Sequence, residues 1–272
     1  MKIRTVTICR ALIAGLSAVA LVGCGTGEPR TEAERLARGR QLVEQMSAHL
    51  AAARQVVITT RETRDLVTQS GKKESLSFTD TVSIRRPDRF HAKVTGKKRG
   101  LEAWYDGKRI TIAVHQDKVF AQAPMPETID RTLDAIAERY GYALPVGDLL
   151  YSSAAKALLA DTTTGGYVGR ERMDGIECHH LAFRDTGVDW ELWLPTEGDP
   201  LPRRLTVIQK ARKGQPVADI VFTSWDLAPR VADATFVPNV PADYEGIAML
   251  QRSAALKPMP PATTATVPAG QP

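Results

Sequence analysis

Residues 101–114 read "LEAWYDGKRITIAV", and the pair in the middle decides the fold class. Asp106-Gly107 is a two-residue turn signal, because glycine adopts the left-handed backbone that a tight hairpin needs. On either side the residues alternate. Ile110, Ile112 and Val114 share one parity, with Thr111 and Ala113 on the other. Period two places alternate side chains on opposite faces of a strand, so this stretch predicts a hairpin with one buried face.

The same period extends outward in both directions. Before it, "QVVITTRETRDLV" (55–67), "SLSFTDTVSIRR" (75–86) and "RPDRFHAKV" (86–94) read as strands, the first two joined by a turn in "SGKKE". After it comes "DKVFAQAP" (117–124). A helical interlude follows: "PETIDRTLDAIAERYG" (126–141) sets Ile129, Leu133 and Ile136 on one face and ends in a glycine stop. "LPVGDLLYSSAAKALLAD" (144–161) predicts a second, shorter helix pair. Strands resume at "GGYVGRERMDGIECHHLAFRD" (165–185), with a second hairpin at Asp174-Gly175. They continue through "VDWELWLP", "LPRRLTVIQKAR" and "PVADIVFTSWDL". Upstream of all this, Leu36, Val43, Met46, Leu50 and Ala53 recur at helical spacing, predicting a helix over 31–54. The order is one helix, about six strands, a helical insert, then about five strands. Hairpin-length connections predict an antiparallel sheet with helices on one face, in one domain.

The ends have a different character. Lys2, Arg4 and Arg10 precede the apolar "ALIAGLSAVALVG", which stops at Cys24. This is the pattern of a secretory signal peptide, and Leu21-Val22-Gly23-Cys24 resembles the bacterial lipobox. On that reading 1–23 is removed, Cys24 is lipidated, 24–30 is a tether, 31–245 is the folded domain and 246–272 is a Pro/Thr/Ala-rich extension, disordered at its end. Multiple acyl chains anchor stably where one does not. Gly25 in place of an aspartate favours the outer membrane. The tether "GTGEPR" reaches about 20 Å at most. An ordinary signal peptide is the alternative, and then a Cys24–Cys178 bridge is conceivable.

Charge and cysteine usage change once the leader is set aside. The full chain has 36 basic and 31 acidic side chains, a net +5. Without Lys2, Arg4 and Arg10 the excess falls to +2, which gives no argument for nucleic acid binding. Cys9 leaves with the leader and Cys24 is lipidated, so Cys178 stands alone and no intramolecular disulfide forms.

The blocks "RRPDRF", "WYDGKRITI", "PETIDRTLDAIAERYG", "LPVGDLLY", "DGIECHHLAFR" and "VDWELWLP" together resemble a family of predicted bacterial periplasmic proteins grouped with the LolA/LolB lipoprotein-carrier fold. They span roughly residues 31–240. The resemblance implies an α+β protein built on a strongly curved antiparallel sheet, an incomplete barrel of about 11 strands with helices packed in its open side. It also implies an apolar groove between sheet and helices. Carriers of this fold hold acyl chains such as palmitate there, and other relatives sense misfolded envelope proteins. Trp104, Ile112, Phe183, Trp190 and Leu192 are the residues it points to as groove wall, although an ordinary packed core explains the same pattern.

"IECHHLAFR" (176–184) carries the other candidate chemistry. On a strand Cys178 and His180 point one way, Glu177 and His179 the other, so neighbouring histidines do not share one metal. Two ligands are too few for zinc, and His49, His91 and His115 have no metal-ligand spacing. A hydrolase using Cys178 and His180 is the enzymatic alternative. No GxSxG, HExxH, CxxC or phosphate-loop motif occurs, and no carboxylate pairing is legible. The reading is of a membrane-anchored lipoprotein, without metal or cofactor, that binds an acyl chain or other long apolar ligand as carrier or acceptor. The competing one is an envelope sensor or assembly module whose partner is another envelope protein.

Overall fold

The computed structural model describes residues 28–68, 71–97, 100–141 and 146–249. The signal peptide, Cys24, the first half of its tether and the Pro/Thr/Ala-rich end lie outside them.

The chain enters through α1 (Glu32–Ala52). Thr31 caps it: its Oγ1 accepts from the Glu34 N–H at 3.2 Å, while the Glu34 carboxylate accepts from the Thr31 N–H at 3.1 Å. Two otherwise orphaned donors are thus satisfied. The helix buries Leu42, Val43, Met46 and Leu50, each contributing about 1.5–3 kcal/mol by leaving water.

Six strands follow: β1 (Gln55–Val67), β2 (Lys73–Arg85), β3 (Arg89–Gly96), β4 (Gly100–Tyr105), β5 (Arg109–Val114) and β6 (Val119–Pro124). The β4–β5 turn is the one Asp106-Gly107 predicts. Gly107 has φ +88°, and Asp106 Oδ1 accepts from the Lys108 and Arg109 N–H groups at 2.9 and 2.8 Å. The helical insert is α2 (Ile129–Tyr140), α3 (Gly147–Leu150) and α4 (Ala154–Leu159). Thr128 opens α2 and left-handed Gly141 closes it. Then come β7 (Thr164–Met173), β8 (Ile176–Arg184), β9 (Val188–Pro195), β10 (Arg204–Gln209), β11 (Val217–Asp226) and the short β12 (Glu245–Ile247).

All twelve strands form one open sheet in the order β12-β6-β5-β4-β3-β2-β1-β11-β10-β9-β8-β7. At about 4.8 Å per strand a flat sheet would be about 50 Å wide. Yet one continuous core joins Phe90, Tyr105 and Ile110 of one half to Leu181, Phe183 and Trp190 of the other, through Met46 of α1 and Ile136 and Leu150 of the insert. The sheet therefore curls around its helices, as an incomplete barrel. Two features depart from the expected layout. The strands among the described residues number twelve, and β12 runs parallel to β6. It is only three exposed residues long, too short and too polar to leave a periodic signal.

β12 ends a strap, residues 227–249, that crosses the outer face of the sheet. Val231 N–H donates to Gln55 Oε1 at 3.1 Å, Asp233 pairs with Arg85, and Phe236 is 2% exposed beneath the Arg85 guanidinium. At the far side Asp243 pairs with Lys118 at 2.8 Å and the Tyr244 hydroxyl meets His115 Nδ1 at 2.8 Å. The final strand begins at Glu245, the last residue of the expected domain, and runs two residues past it. Among the described residues no helix is long and apolar enough to cross a membrane.

Candidate functional site

Strand register sets out the inner face row by row. Leu181, Leu192, Leu205, Ile220 and Glu62 lie opposite one another across β8, β9, β10, β11 and β1. The next row is Phe183, Trp190, Val207, Ala218 and Arg64. Phe183 and Trp190 stack with centroids 4.4 Å apart. Over this half sit α3 and α4. Between them and the sheet is a cavity of about 130 Å³, walled by Ala157 and Leu158 of α4 and by Val188, Trp190, Leu205 and Val207 of β9 and β10. Asp148, Asp161 and Asp185 line its mouth. Asp148 is exposed there but hemmed in by protein, and this partial loss of water pushes its carboxyl up. The arrangement is an apolar slot with an acidic rim.

Two strands along the same face, about 10 Å from Val207, the wall turns polar. Thr60, Glu62 and Asp80 are 1%, 3% and 1% exposed. Glu62 accepts two 2.7 Å hydrogen bonds from the Arg64 guanidinium, a bidentate pair. Asp80 Oδ2 accepts from the Thr60 hydroxyl at 3.0 Å, while Asp80 Oδ1 has no hydrogen-bond partner among the described residues. Burial, and then the Glu62 charge beside it, push the Asp80 carboxyl up to about 7, with the Thr60 hydrogen bond opposing. Sequence reading missed this cluster, although a signal was present. Val56 and Ile58 set the inward parity of β1, and Thr60, Glu62 and Arg64 continue it; Phe78, Val82 and Ile84 do the same around Asp80.

The five residues expected to wall a groove are not brought together. Phe183, Trp190 and Leu192 share the inner face of β8 and β9, all deeply buried, and Trp190 alone reaches the cavity. Ile112 also faces inward, between Ala103 and Ala121, but on the other half of the sheet. Trp104 points the opposite way. Tyr105 and Ala103 take the inward parity of β4, so Trp104 projects to the outer face, where it stacks on His91 at 5.3 Å and is 3% exposed. Trp104 is no part of a groove between sheet and helices.

Cys178 and His180 do share one face, but they do not act on each other. The Cys178 thiol donates to the Ile176 carbonyl at 3.7 Å, and burial pushes its pKa up, away from the reactive thiolate. His180 stacks on Trp193 with centroids 4.5 Å apart, and its Nε2 lies 3.0 Å from Glu191. Glu171 accepts from Trp193 Nε1 at 2.8 Å. These contacts tie the outer face of β7–β9 together. No group of three or more His, Cys, Asp or Glu side chains able to hold a metal occurs among the described residues.

Comparison with known families agrees with the resemblance to predicted periplasmic proteins legible in the sequence. No curated protein matches the chain. Among solved structures, similarity extends to a conserved protein from Thermus thermophilus, at 12% identity and TM-score 0.46 over 77% of this chain and 98% of that one. It extends to the lipoprotein LppX of Mycobacterium tuberculosis, at 14% identity and TM-score 0.42 over 71% and 97%. A LolA superfamily protein from Nitrosomonas europaea aligns at 10% identity and TM-score 0.38 over 74% and 98%. Residues 39–250, most of the chain and nearly all of the described fold, match the family model described as "Predicted periplasmic protein (DUF2092)". The chain belongs to this family of predicted periplasmic proteins.

Proposed function

We propose that the protein is an envelope lipoprotein, anchored through Cys24 on the periplasmic side of a membrane, the outer one favoured. In its slot between α3–α4 and β9–β10 it takes an acyl chain or other long apolar ligand, as carrier or acceptor. The observation that carries the reading is the slot itself: a curved sheet and a helical insert enclose an apolar cavity around Trp190 whose mouth is ringed by Asp148, Asp161 and Asp185. Each methylene leaving water contributes about 0.8 kcal/mol, so about ten of them outweigh a typical association cost. At about 130 Å³ the cavity is below the roughly 300–1,000 Å³ of small-molecule sites. A long ligand therefore enters as α4 lifts from β9 and β10, and the slot marks where it starts.

The test uses the chain from Gly25 to Pro272, which contains every described element and the whole core. Purified without detergent, it should show an adduct of acyl-chain mass in native mass spectra, with the matching lipid on extraction. An unliganded protein that also fails to take up a fluorescent fatty acid sinks the reading. A second reading, binding of a polypeptide, is favoured by the free edge of β7, where Val168 is 53% exposed. It is recognised by a stoichiometric protein, in place of lipid, in the same preparation.

A further inference from the structure

A second pocket, larger than the slot, lies outside the groove. It lies at the edge of the sheet, between the start of α1 and the β7–β8 hairpin, with a volume of about 520 Å³. Three arginines converge on it: Arg30 and Arg35 from the start of α1, and Arg184 from the end of β8. Their charges are not equally free. Arg184 lies 3.5 Å from Asp189 and 3.8 Å from Glu191. Arg30 and Arg35 are exposed; the Glu34 carboxylate accepts from the Arg30 backbone N–H at 2.7 Å, and among the described residues no carboxylate forms an ion pair with either guanidinium within 4 Å. Glu32 is the one acid in the lining.

Two further features surround these cations. Thr164 and Val168 of β7 line the same pocket, the first with a hydroxyl and the second with an exposed apolar side chain. β7 is also the terminal strand of the sheet, so part of its backbone on that side has no strand partner. Cations with a hydroxyl and an adjacent apolar side chain form the combination that seats at a lipid–water interface, where the charges meet phosphates and the apolar group meets the acyl boundary.

We propose that this pocket holds the phosphate of an anionic phospholipid headgroup, docking the domain by its α1–β7 edge onto the membrane that carries its anchor. The choice of membrane over a soluble phosphate follows from chain length. Arg30 is six residues from Cys24, so an extended tether keeps the pocket within about 20 Å of the lipidated cysteine. The inference rests on the anchoring part of the proposed function and is independent of what the slot holds. Docked in this way, the protein has a fixed orientation relative to the bilayer.

The test is flotation of the Gly25–Pro272 chain with vesicles of phosphatidylcholine, alone or mixed with phosphatidylglycerol. Without the lipid anchor, any binding comes from the folded domain. Wild type should float with the anionic vesicles and stay behind with the neutral ones. Arg30→Gln/Arg35→Gln should weaken anionic binding roughly 30-fold, the equivalent of two basic side chains at a charged surface. Arg131→Gln/Arg139→Gln on α2 removes the same net charge from exposed positions elsewhere and should change binding less than about twofold. Equal losses in the two double variants would reduce the effect to net charge and overturn the site. So would the absence of any preference for phosphatidylglycerol, or binding of free glycerol phosphate without binding to vesicles. An acyl adduct in native spectra alongside failed flotation would overturn docking and leave the slot reading standing.

Discussion

Asp80 and Glu62 place two carboxyl groups on the inner face of the sheet, beside Thr60 and Arg64, and only Glu62 has a cation directly on it. The consequence is a stability that depends on pH in an unusual direction. Burial and the Glu62 charge raise the folded Asp80 pKa to about 7 from 3.8, with the Thr60 hydroxyl and the Arg64 charge pulling the other way. Between those values the unfolded chain releases its proton while the folded chain keeps it. The unfolded state then binds fewer protons, so stability falls as pH rises through that window and levels off above it. At about 1.4 kcal/mol per pKa unit the cost is on the order of 4 kcal/mol. Asp80→Asn keeps an acceptor for the Thr60 hydroxyl and cannot ionise. Its unfolding free energy should match wild type near about pH 4 and exceed it near about pH 8, by a few kcal/mol. Parallel urea titrations of the two proteins decide the matter; curves that stay a constant distance apart would mean that Asp80 does not titrate in this window.

At the scale of elements, α1 and β7 approach so closely that a glycine is required on each. A Cβ on Gly39 would sit 2.7 Å from the Gly166 Cα, 2.8 Å from its carbonyl carbon and 2.9 Å from the Tyr167 nitrogen. All three are backbone atoms, so no side chain can swing aside. Gly39→Ala should gain helix propensity yet cost about 1–3 kcal/mol through overpacking. A thermal melt that moves upward would show that the helix can slide on the sheet. Neither glycine stood out in the sequence, because the contact joins residues far apart in the chain. Local features were legible for the opposite reason. Asp106-Gly107, Asp174-Gly175, the stop at Gly141 and the stripe of α1 all act within a few residues, and strands β1 to β11 follow from period-two runs between such marks. The strap and β12 have no such local cause: Phe236, Asp233 and Tyr244 are held by Arg85 and His115, which only the folded sheet brings near. Trp104 has the parity opposite to Ala103 and Tyr105, the residues that face the core from β4, and that parity sets its face.

The whole molecule is a curled sheet with two differently used faces. The outer face is closed by ion pairs, stacked rings and the strap, while the inner face closes on α1 and the insert. The inner closure includes a cavity, and it is bounded by short helices: α3 spans Gly147–Leu150 and α4 spans Ala154–Leu159. Helices of that length have little stability of their own and depend on packing, so this is the part of the core that opens at least cost. Ligand uptake should then depend on the space beneath α4 and be indifferent to the outer face. Leu158→Trp would fill the slot from above; with the cavity available to receive the ring, the fold should survive and uptake of a fluorescent fatty acid should fall at least about tenfold, as expected for removing the volume a ligand occupies. Trp104→Phe, on the strapped face, should lose some stability and leave uptake unchanged. The two variants separate the faces: equal uptake in Leu158→Trp and wild type would move any ligand away from this slot, whereas a loss confined to Trp104→Phe would place it beneath the strap.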